Sequence, residues 1–196
     1  NFLCQVLPFE GMRNYALSVL ASSISGKAQH QAFYFFRGTG SNGKSQVAEL
    51  HALAMGDYCK SAPSSIIVGN STESGKANSD LASLKGSHVV MVGECKKGDI
   101  LNNQTSKSMI GDKKVSCRQL YQLAIEMLIK FVLFFPVNFL PIILSNDDGT
   151  WRRIKIIDFP SKFIDEDKIE LRDEIDENGN TIQVPANDLE FVKIAD

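Results

Sequence analysis

The chain has 196 residues, of which 43% are hydrophobic and 22% are charged. These totals fit one globular domain with a sizeable core and short extensions rather than several domains. The net charge of −2 is unevenly distributed, because residues 164–196 hold eleven Asp/Glu and three Lys/Arg, whereas residues 1–163 hold eighteen Lys/Arg and twelve Asp/Glu. The body is therefore basic and the tail acidic. A mildly basic body is compatible with a polyanionic partner but does not demonstrate one.

Cysteine usage indicates a reducing compartment. Cys4, Cys59, Cys95 and Cys117 form no C-x-x-C pair, and no cluster of Cys and His has the spacing of zinc ligands. We therefore expect reduced thiols and an intracellular protein. No signal peptide is visible, and because the sequence begins at Asn1 rather than Met we expect a piece of a longer protein.

A glycine-rich turn joins an aromatic strand-like run, residues 33–36, to a helical pattern that ends near Gly56. The turn fits the phosphate-binding pattern G-x-x-x-x-G-K-[ST]. Glycines let successive backbone N–H groups converge on one phosphate, and the following helix offers a positive dipole end. We expect Lys44 to reach the β- and γ-phosphates of ATP and the Ser45 hydroxyl to hold Mg²⁺. The predicted binding loop consists of Gly38, Thr39, Gly40, Ser41, Asn42, Gly43, Lys44 and Ser45.

Two other interpretations of this turn remain open. Gly38, Gly40 and Gly43 also satisfy G-x-G-x-x-G, the dinucleotide fingerprint. That fingerprint requires an acidic residue about 20 positions further on, where this chain has Pro63 and Ser64. The other alternative is a glycine turn that matches the pattern by chance. The strand before the turn and the helix after it favour the phosphate-binding loop.

A second run of β-branched residues, 88–92, ends at Gly93-Glu94. Continuous apolar runs are typical of buried parallel strands, and a carboxylate at the carboxyl end of such a strand would lie beside the phosphate loop. There Glu94 could order Mg²⁺ and polarise water. The alternative is an ordinary buried strand that happens to meet a glutamate at its end.

The most apolar stretch, residues 123–144, is long enough to span a bilayer. Glu126, Lys130 and two prolines argue against a membrane span, so we predict a buried helix followed by a strand and no membrane partner.

Elsewhere the patterns predict a coarse order of short elements. The predicted helices cover residues 2–25 with a break at 9–11, residues 80–84 with Ser79 as the cap, and residues 101–110. The predicted strands cover residues 66–68, 141–146 and 155–159, and a turn covers residues 177–180.

Two basic pairs are candidates for contacts with phosphate. Lys113 and Lys114 fall at the tip of a predicted turn, 111–115, and the alternative is an ordinary solvated hairpin. Arg152 and Arg153 are adjacent on a predicted strand edge, so their side chains point to opposite faces and one could project towards a phosphate. The alternative for this pair is two surface arginines with packed stems.

Four ordered segments resemble the superfamily 3 helicases, specifically the poxvirus-type primase-helicases of large DNA viruses, phages and plasmids. Their Walker A motif is similar to FRGTGSNGKS, and the run into their Walker B motif is similar to SDLASLKGSHVVMVGE. Their DNA-facing hairpin is similar to KSMIGDKKVSCRQLY, and the segment with their arginines is similar to DGTWRRIKIIDFPSKF. The resemblance extends from about Phe2 to Phe163.

The resemblance implies an α/β fold: a P-loop NTPase with an AAA+-like core, in which helices flank a mostly parallel sheet. It also implies hexameric rings that bind ATP between subunits and single-stranded DNA in the channel. Glu94 would be the Walker B acid, Lys113 and Lys114 would grip DNA, and Arg152 or Arg153 would act on the neighbour's ATP. The expected domains are a helical lead-in (1–30), the ATPase core (31–163) and an acidic extension (164–196), within a parent protein that also carries a primase.

The chain departs from the family pattern after Asn146. Either Asn146 is the family's sensor asparagine with a shortened linker to Asp148, or a piece is missing. We therefore weigh two functions, an ATP-driven helicase and a nucleotide-binding remnant without motor activity. A small P-loop kinase is a weaker third alternative.

Overall fold

The computed structural model describes residues 2–27, 31–69, 79–111, 114–118, 121–145, 147–177 and 179–192. Its helices are α1 (Phe2–Val6), α2 (Glu10–Ser23), α3 (Lys44–Met55), α4 (Ser79–Ser83), α5 (Asn103–Gly111) and α6 (Asp148–Trp151). Its strands are β1 (Phe33–Arg37), β2 (Cys59–Ala62), β3 (Val89–Val92), β4 (Lys114–Cys117), β5 (Ile125–Leu128), β6 (Val132–Val137), β7 (Ile154–Asp158), β8 (Lys162–Ile164), β9 (Leu171–Ile175), β10 (Thr181–Pro185) and β11 (Glu190–Val192).

A five-stranded sheet with the order β2-β3-β6-β1-β7 forms the centre of the molecule. Every neighbouring pair in it is parallel. The carboxyl ends of β3, β6 and β1 therefore meet at one edge, where ligands bind in open α/β sheets. The predicted fold class, α/β with a central mostly parallel sheet flanked by helices, is confirmed.

The aromatic run of β1 is divided between the two faces of the sheet. Phe33 and Phe35 pack with Phe135 of β6 in one buried cluster, whereas Tyr34 and Phe36 pack with Phe134 in the other. This division follows from the alternation of side chains along a strand. Both faces are apolar because helices or loops cover each of them.

The first two helices pack onto the core of the sheet. Val6, Leu7, Ala16 and Val19 are buried in the same cluster as Phe134. In the described part of the chain, no helix is long and apolar enough to cross a membrane.

Two predictions about the apolar stretch 123–144 are wrong. It contains no helix, because its central part is β6, the middle strand of the sheet, and β5 precedes it. A middle strand that is covered on both faces has the continuous apolar character that we assigned to a buried helix. The strand predicted at residues 141–146 is reduced to a single bridge between Ile142 and Ile100.

The prediction of a strand at residues 66–68 is also wrong. The predicted strand 66–68 is a 3-10 turn at Ser64–Ile66 followed by one bridge residue, Val68. The strand in this region is instead β2, which forms one edge of the sheet. Its sequence, CKSA, has little apolar character, so the pattern did not reveal it.

After β7 the chain forms two small sheets. β8 pairs with β11, and β9 pairs with β10 around the predicted turn near residue 177. Phe163 of β8 contacts the ring of Phe191 of β11. Most side chains of β9 and β10 are exposed, in keeping with the acidic composition of this extension.

Candidate nucleotide site

The glycine-rich loop lies between β1 and α3, as the sequence predicted. Gly40 and Gly43 have φ values of 105° and 78°, and Ser41 also has a positive φ of 47°. A Cβ built on Gly38 would lie 1.8 Å from Nδ2 of Asn42, so this position has no room for a larger residue. No hydrogen bond to a described residue occupies the backbone N–H groups of residues 39–43. The loop therefore presents several amide donors beside the amino end of α3.

The segment after β7 supports this loop from outside. The N–H of Phe163 donates to the carbonyl of Ser41 over 2.5 Å, and Nδ2 of Asn42 donates to the carbonyl of Phe159 over 3.4 Å. Asn42 is buried, and its Oδ1 accepts from the N–H of Lys44. Asn42 thus closes the loop internally and anchors it to the sheet.

Lys44 is 7% exposed, and its ammonium group is held by two oxygen atoms. Nζ donates to the carbonyl of Gly38 over 3.1 Å and to Oδ1 of Asn138 over 2.7 Å. Burial lowers the pKa of Lys44, and the charge of nearby Glu94 opposes that shift. A positive charge held in this position can stabilise an anion bound in the loop.

Asn138 connects Lys44 to Glu94. It directly follows β6, and its Nδ2 donates to Oε1 of Glu94 over 2.5 Å. Glu94 follows β3 and is exposed, so its carboxylate is accessible at the edge of the sheet. The carboxyl ends of three neighbouring strands thus place a lysine, an amide and a carboxylate in one hydrogen-bonded row.

Sequence reasoning missed Asn138 and named Asn146 instead. Asn146 lies outside the described residues, so its predicted sensor role stays a prediction. The signal for Asn138 was available, because it follows the most apolar strand as Glu94 follows β3. Once that stretch was assigned to a helix, the end of a strand at Val137 could not be recognised.

The two arginines lie at the opposite edge of the sheet from the loop. They occupy the turn between α6 and β7, rather than the predicted strand edge. The N–H of Phe33, at the start of β1, donates to the carbonyl of Arg153 over 2.7 Å. Because β1 has five residues, roughly 16 Å of strand separates this edge from the loop. Neither arginine is positioned to reach a phosphate in its own chain's loop.

The surroundings of the two arginines differ. Nη1 of Arg153 donates to the carbonyl of Gly149, and its buried Nε has no hydrogen-bond partner among the described residues. The Arg152 side chain is exposed, and it makes no hydrogen bond or ion pair with another residue that the structure describes. Arg152 is therefore the one available to an external anion.

The lysine predicted to grip DNA is not at a hairpin tip. Lys114 is the first residue of β4, at the open end of the β4–β5 hairpin, and it pairs with Glu126 over 3.2 Å. Lys113 lies outside the described residues. The tip falls between residues 118 and 124, where the Tyr121 and Leu123 side chains are 99% and 89% exposed. The predicted position of Lys114 at the tip is wrong, and its contact with DNA stays a prediction.

No dedicated metal site stands out at this edge. Among the described residues, no group of three or more His, Cys, Asp or Glu side chains could hold a metal ion. The two residues predicted to hold Mg²⁺, Ser45 and Glu94, offer one hydroxyl and one carboxylate. Such a sparse set fits Mg²⁺ that shares its ligands with a substrate phosphate.

Comparisons with known proteins identify relatives in large DNA viruses. The chain is 37% identical over 164 residues to a protein of Acanthamoeba polyphaga mimivirus named "Putative helicase", which covers 84% of this chain and 17% of that protein. It is 29% identical over 167 residues to a "Putative helicase" of Frog virus 3, covering 83% of this chain and 17% of the relative. It is 27% identical over 156 residues to a "Putative primase" of African swine fever virus, covering 79% of this chain and 16% of the relative. The chain thus spans about a sixth of the length of these relatives.

No family model matches the sequence. Among solved structures, the apo C-terminal region of NrS-1 is similar, with a TM-score of 0.58 and 13% identity over 80% of this chain and 36% of that one. At this identity the likeness concerns the fold alone.

Proposed function

We propose an ATP-driven motor function for this chain, which is a homologue of the proteins named as helicases and primases of large DNA viruses. In this proposal the domain hydrolyses ATP and uses the energy to move on single-stranded DNA during replication. The observation that carries it is the hydrogen-bonded row of Lys44, Asn138 and Glu94 beside the glycine-rich loop. A loop that only bound nucleotide would not need a carboxylate aligned with its lysine.

In this proposal the loop binds the triphosphate of ATP. The N–H groups of residues 39–43 and the amino end of α3 offer hydrogen-bond donors to phosphate oxygens. Lys44 would exchange its bond to the Gly38 carbonyl for one to a phosphate, while Asn138 keeps the ammonium group in place. The Ser45 hydroxyl and Glu94 would hold Mg²⁺, whose charge offsets that of the β- and γ-phosphate oxygens.

In the proposed reaction Glu94 acts on water. Its Oε1 accepts from Asn138, which leaves Oε2 to orient a water molecule and to accept its proton during attack on the γ-phosphorus. Lys44 would stabilise the charge that develops on the phosphate oxygens. Arg152 of a neighbouring subunit would add a second positive charge, because the arginine of the same chain lies at the far edge of the sheet.

We propose that the chains assemble into a ring with ATP between subunits, and the distance of Arg152 from the loop of its own chain supports this arrangement. The DNA would contact the β4–β5 hairpin, including Lys113 and Lys114, and backbone contacts of this kind are salt-dependent and insensitive to sequence. We also propose that the domain belongs to a longer parent protein with a primase that acts inside infected cells, because the relatives are viral, are named as helicases and primases, and are several times longer than the chain.

Asn138 weakens the alternative of a remnant without motor activity. That alternative rested on a linker that appeared too short between Asn146 and Asp148. If Asn138 is the sensor, nine residues separate it from Asp148 and no piece needs to be missing.

The experiment is an ATPase measurement on purified protein with and without single-stranded DNA. We expect Lys44→Ala to lower the rate at least about 100-fold, since it removes a charge from the transition state. Glu94→Gln keeps an acceptor for Asn138, so it should lower hydrolysis by a similar factor and leave ATP binding intact. Lys155→Ala, an exposed lysine on β7, is the matched control and should change neither.

Equal rates for Lys44→Ala and the unmodified protein would contradict the enzymatic proposal. A DNA-independent rate in a monomer would contradict the motor, and transfer of phosphate to a small acceptor would favour a kinase.

A further inference from the structure

An ion pair joins the hairpin side of the molecule to the segment that bears the arginines. Nζ of Lys107, on α5, lies 2.7 Å from Oδ2 of Asp147. Asp147 is also the N-cap of α6, because its carboxylate accepts from the N–H and the hydroxyl of Thr150. One carboxylate therefore both starts α6 and ties it to α5. Arg152 directly follows α6 in the chain.

The other end of this connection is the β4–β5 hairpin. β4 begins at Lys114, three positions after α5 ends at Gly111. Met109 of α5 is buried in the same cluster as Cys117 of β4 and Met127 of β5. Because α5 leads into β4 and shares this buried cluster with the hairpin, we expect a displacement of the hairpin to displace α5 with it.

Several buried polar groups where α5 and α6 meet lack hydrogen-bond partners among the described residues. Three buried side-chain atoms in the described part of the chain have no hydrogen-bond partner: Asn103 Oδ1 and Ser106 Oγ on α5, and Arg153 Nε after α6. Buried polar groups are rarely left unpaired in a native structure. Two of the three atoms lie on α5 and the third lies shortly after α6, so the region where these elements meet leaves buried polar groups unpaired within the described structure.

We propose that the Lys107–Asp147 ion pair couples the β4–β5 hairpin to Arg152. A strand of DNA held on the hairpin moves α5, the ion pair carries the movement to α6, and Arg152 changes its approach to the ATP of the neighbouring subunit. Lys107 and Asp147 are positioning residues in this scheme, because neither contacts ATP. The inference rests on the proposed function and adds the route by which DNA stimulates hydrolysis.

The readout is the ratio of ATPase rates with and without saturating single-stranded DNA. Lys107→Met removes the ion pair, and Asp147→Asn removes its charge while keeping a good N-cap for α6. Each variant should lower the ratio about two- to fivefold, and the double variant should lower it no further, because one interaction is lost in all three. Lys107→Arg should retain most of the ratio. Lys168→Met, in an exposed pair with Asp165, is the matched control and should have no effect.

Basal hydrolysis, affinity for a fluorescent ATP analogue and affinity for DNA should stay unchanged in these variants, which a general loss of structure would not allow. An unchanged ratio in both single variants, or additive losses in the double variant, would overturn the coupling while the proposed function stands. If single-stranded DNA does not change the ATPase rate of the unmodified protein, both the coupling and the proposed function are overturned.

Discussion

The two edges of the central sheet differ in whether their functional side chains are already bonded to other groups of the same chain. At the carboxyl edge, Lys44, Asn138 and Glu94 are already joined by hydrogen bonds within one chain. At the amino edge, Arg152 extends from a four-residue helix into solvent. The comparison teaches that the proposed nucleotide half of the site is assembled within one chain from strands distant in the sequence, whereas in our proposal the arginine half acquires a target only when a second chain approaches.

The largest expected loss of ATP hydrolysis tests whether the loop at one edge and the arginine at the other act from different chains. Arg152→Ala should lower ATP hydrolysis about 1,000-fold or more, as for other arginines supplied in trans. Mixing this variant with Lys44→Ala should restore part of the rate, because one chain supplies the arginine and the other the loop. Rates are measured for each variant and for the mixture.

If the mixture hydrolyses ATP no faster than either variant alone, the loop and the arginine do not act from different chains and the prediction is contradicted. Arg153→Ala is the comparison variant. Because Arg153 bonds to the carbonyl of Gly149, its loss should act on thermal stability more than on hydrolysis.

A smaller loss of ATP hydrolysis should follow from breaking the hydrogen-bonded row of Lys44, Asn138 and Glu94 at the carboxyl edge. Asn138→Ala removes the group between Lys44 and Glu94 and should lower hydrolysis about ten- to a hundredfold, with little change in ATP affinity. Single-turnover kinetics would separate the two quantities. Asn180→Ala, in the exposed turn of the acidic extension, serves as control, and an equal response in both variants would remove Asn138 from the site.

The smallest expected effect is on the free energy of unfolding and concerns His51, on the helix that follows the loop. His51 of α3 bonds to Ser23 and packs edge-on against Phe134, and burial lowers its pKa from the usual 6.5. A lowered histidine pKa means that the unfolded chain binds a proton first, so the free energy of unfolding should fall as pH falls through 6.5. Denaturant titrations from pH 7.5 to 5.5 would measure the slope, and His51→Gln should reduce it. The same slope in both proteins would exclude His51 as the cause.

Local signals predicted the carboxyl edge well. The strand before Gly38, the helix after Lys44 and the strand before Glu94 all appear where the patterns put them. Each depends on neighbouring residues alone, such as glycine conformations and continuous apolar runs. The parallel pairing that brings these elements together was indicated by the continuous apolar runs and by the resemblance to a known fold.

Long-range packing decided the parts that could not be predicted. Residues 132–137 are as apolar as a buried helix and become a strand because they fill the middle of the sheet. This error hid Asn138 and left Asn146 as the only sensor candidate. The hairpin was likewise misplaced, because nothing near Lys114 indicates that its strand pairs with residues 125–128.

The first helix of the chain has an effect on the phosphate loop that the motif alone does not suggest. A Cβ at Gly43 would lie 2.5 Å from Cγ2 of Val6, and the hydroxyl of Ser161 donates to the carbonyl of Gln5. The last glycine of the loop is therefore fitted against α1, and the shape of the phosphate cradle depends on how α1 is seated. We therefore expect tension on the chain ahead of α1 to change the shape of the glycine-rich loop through Val6.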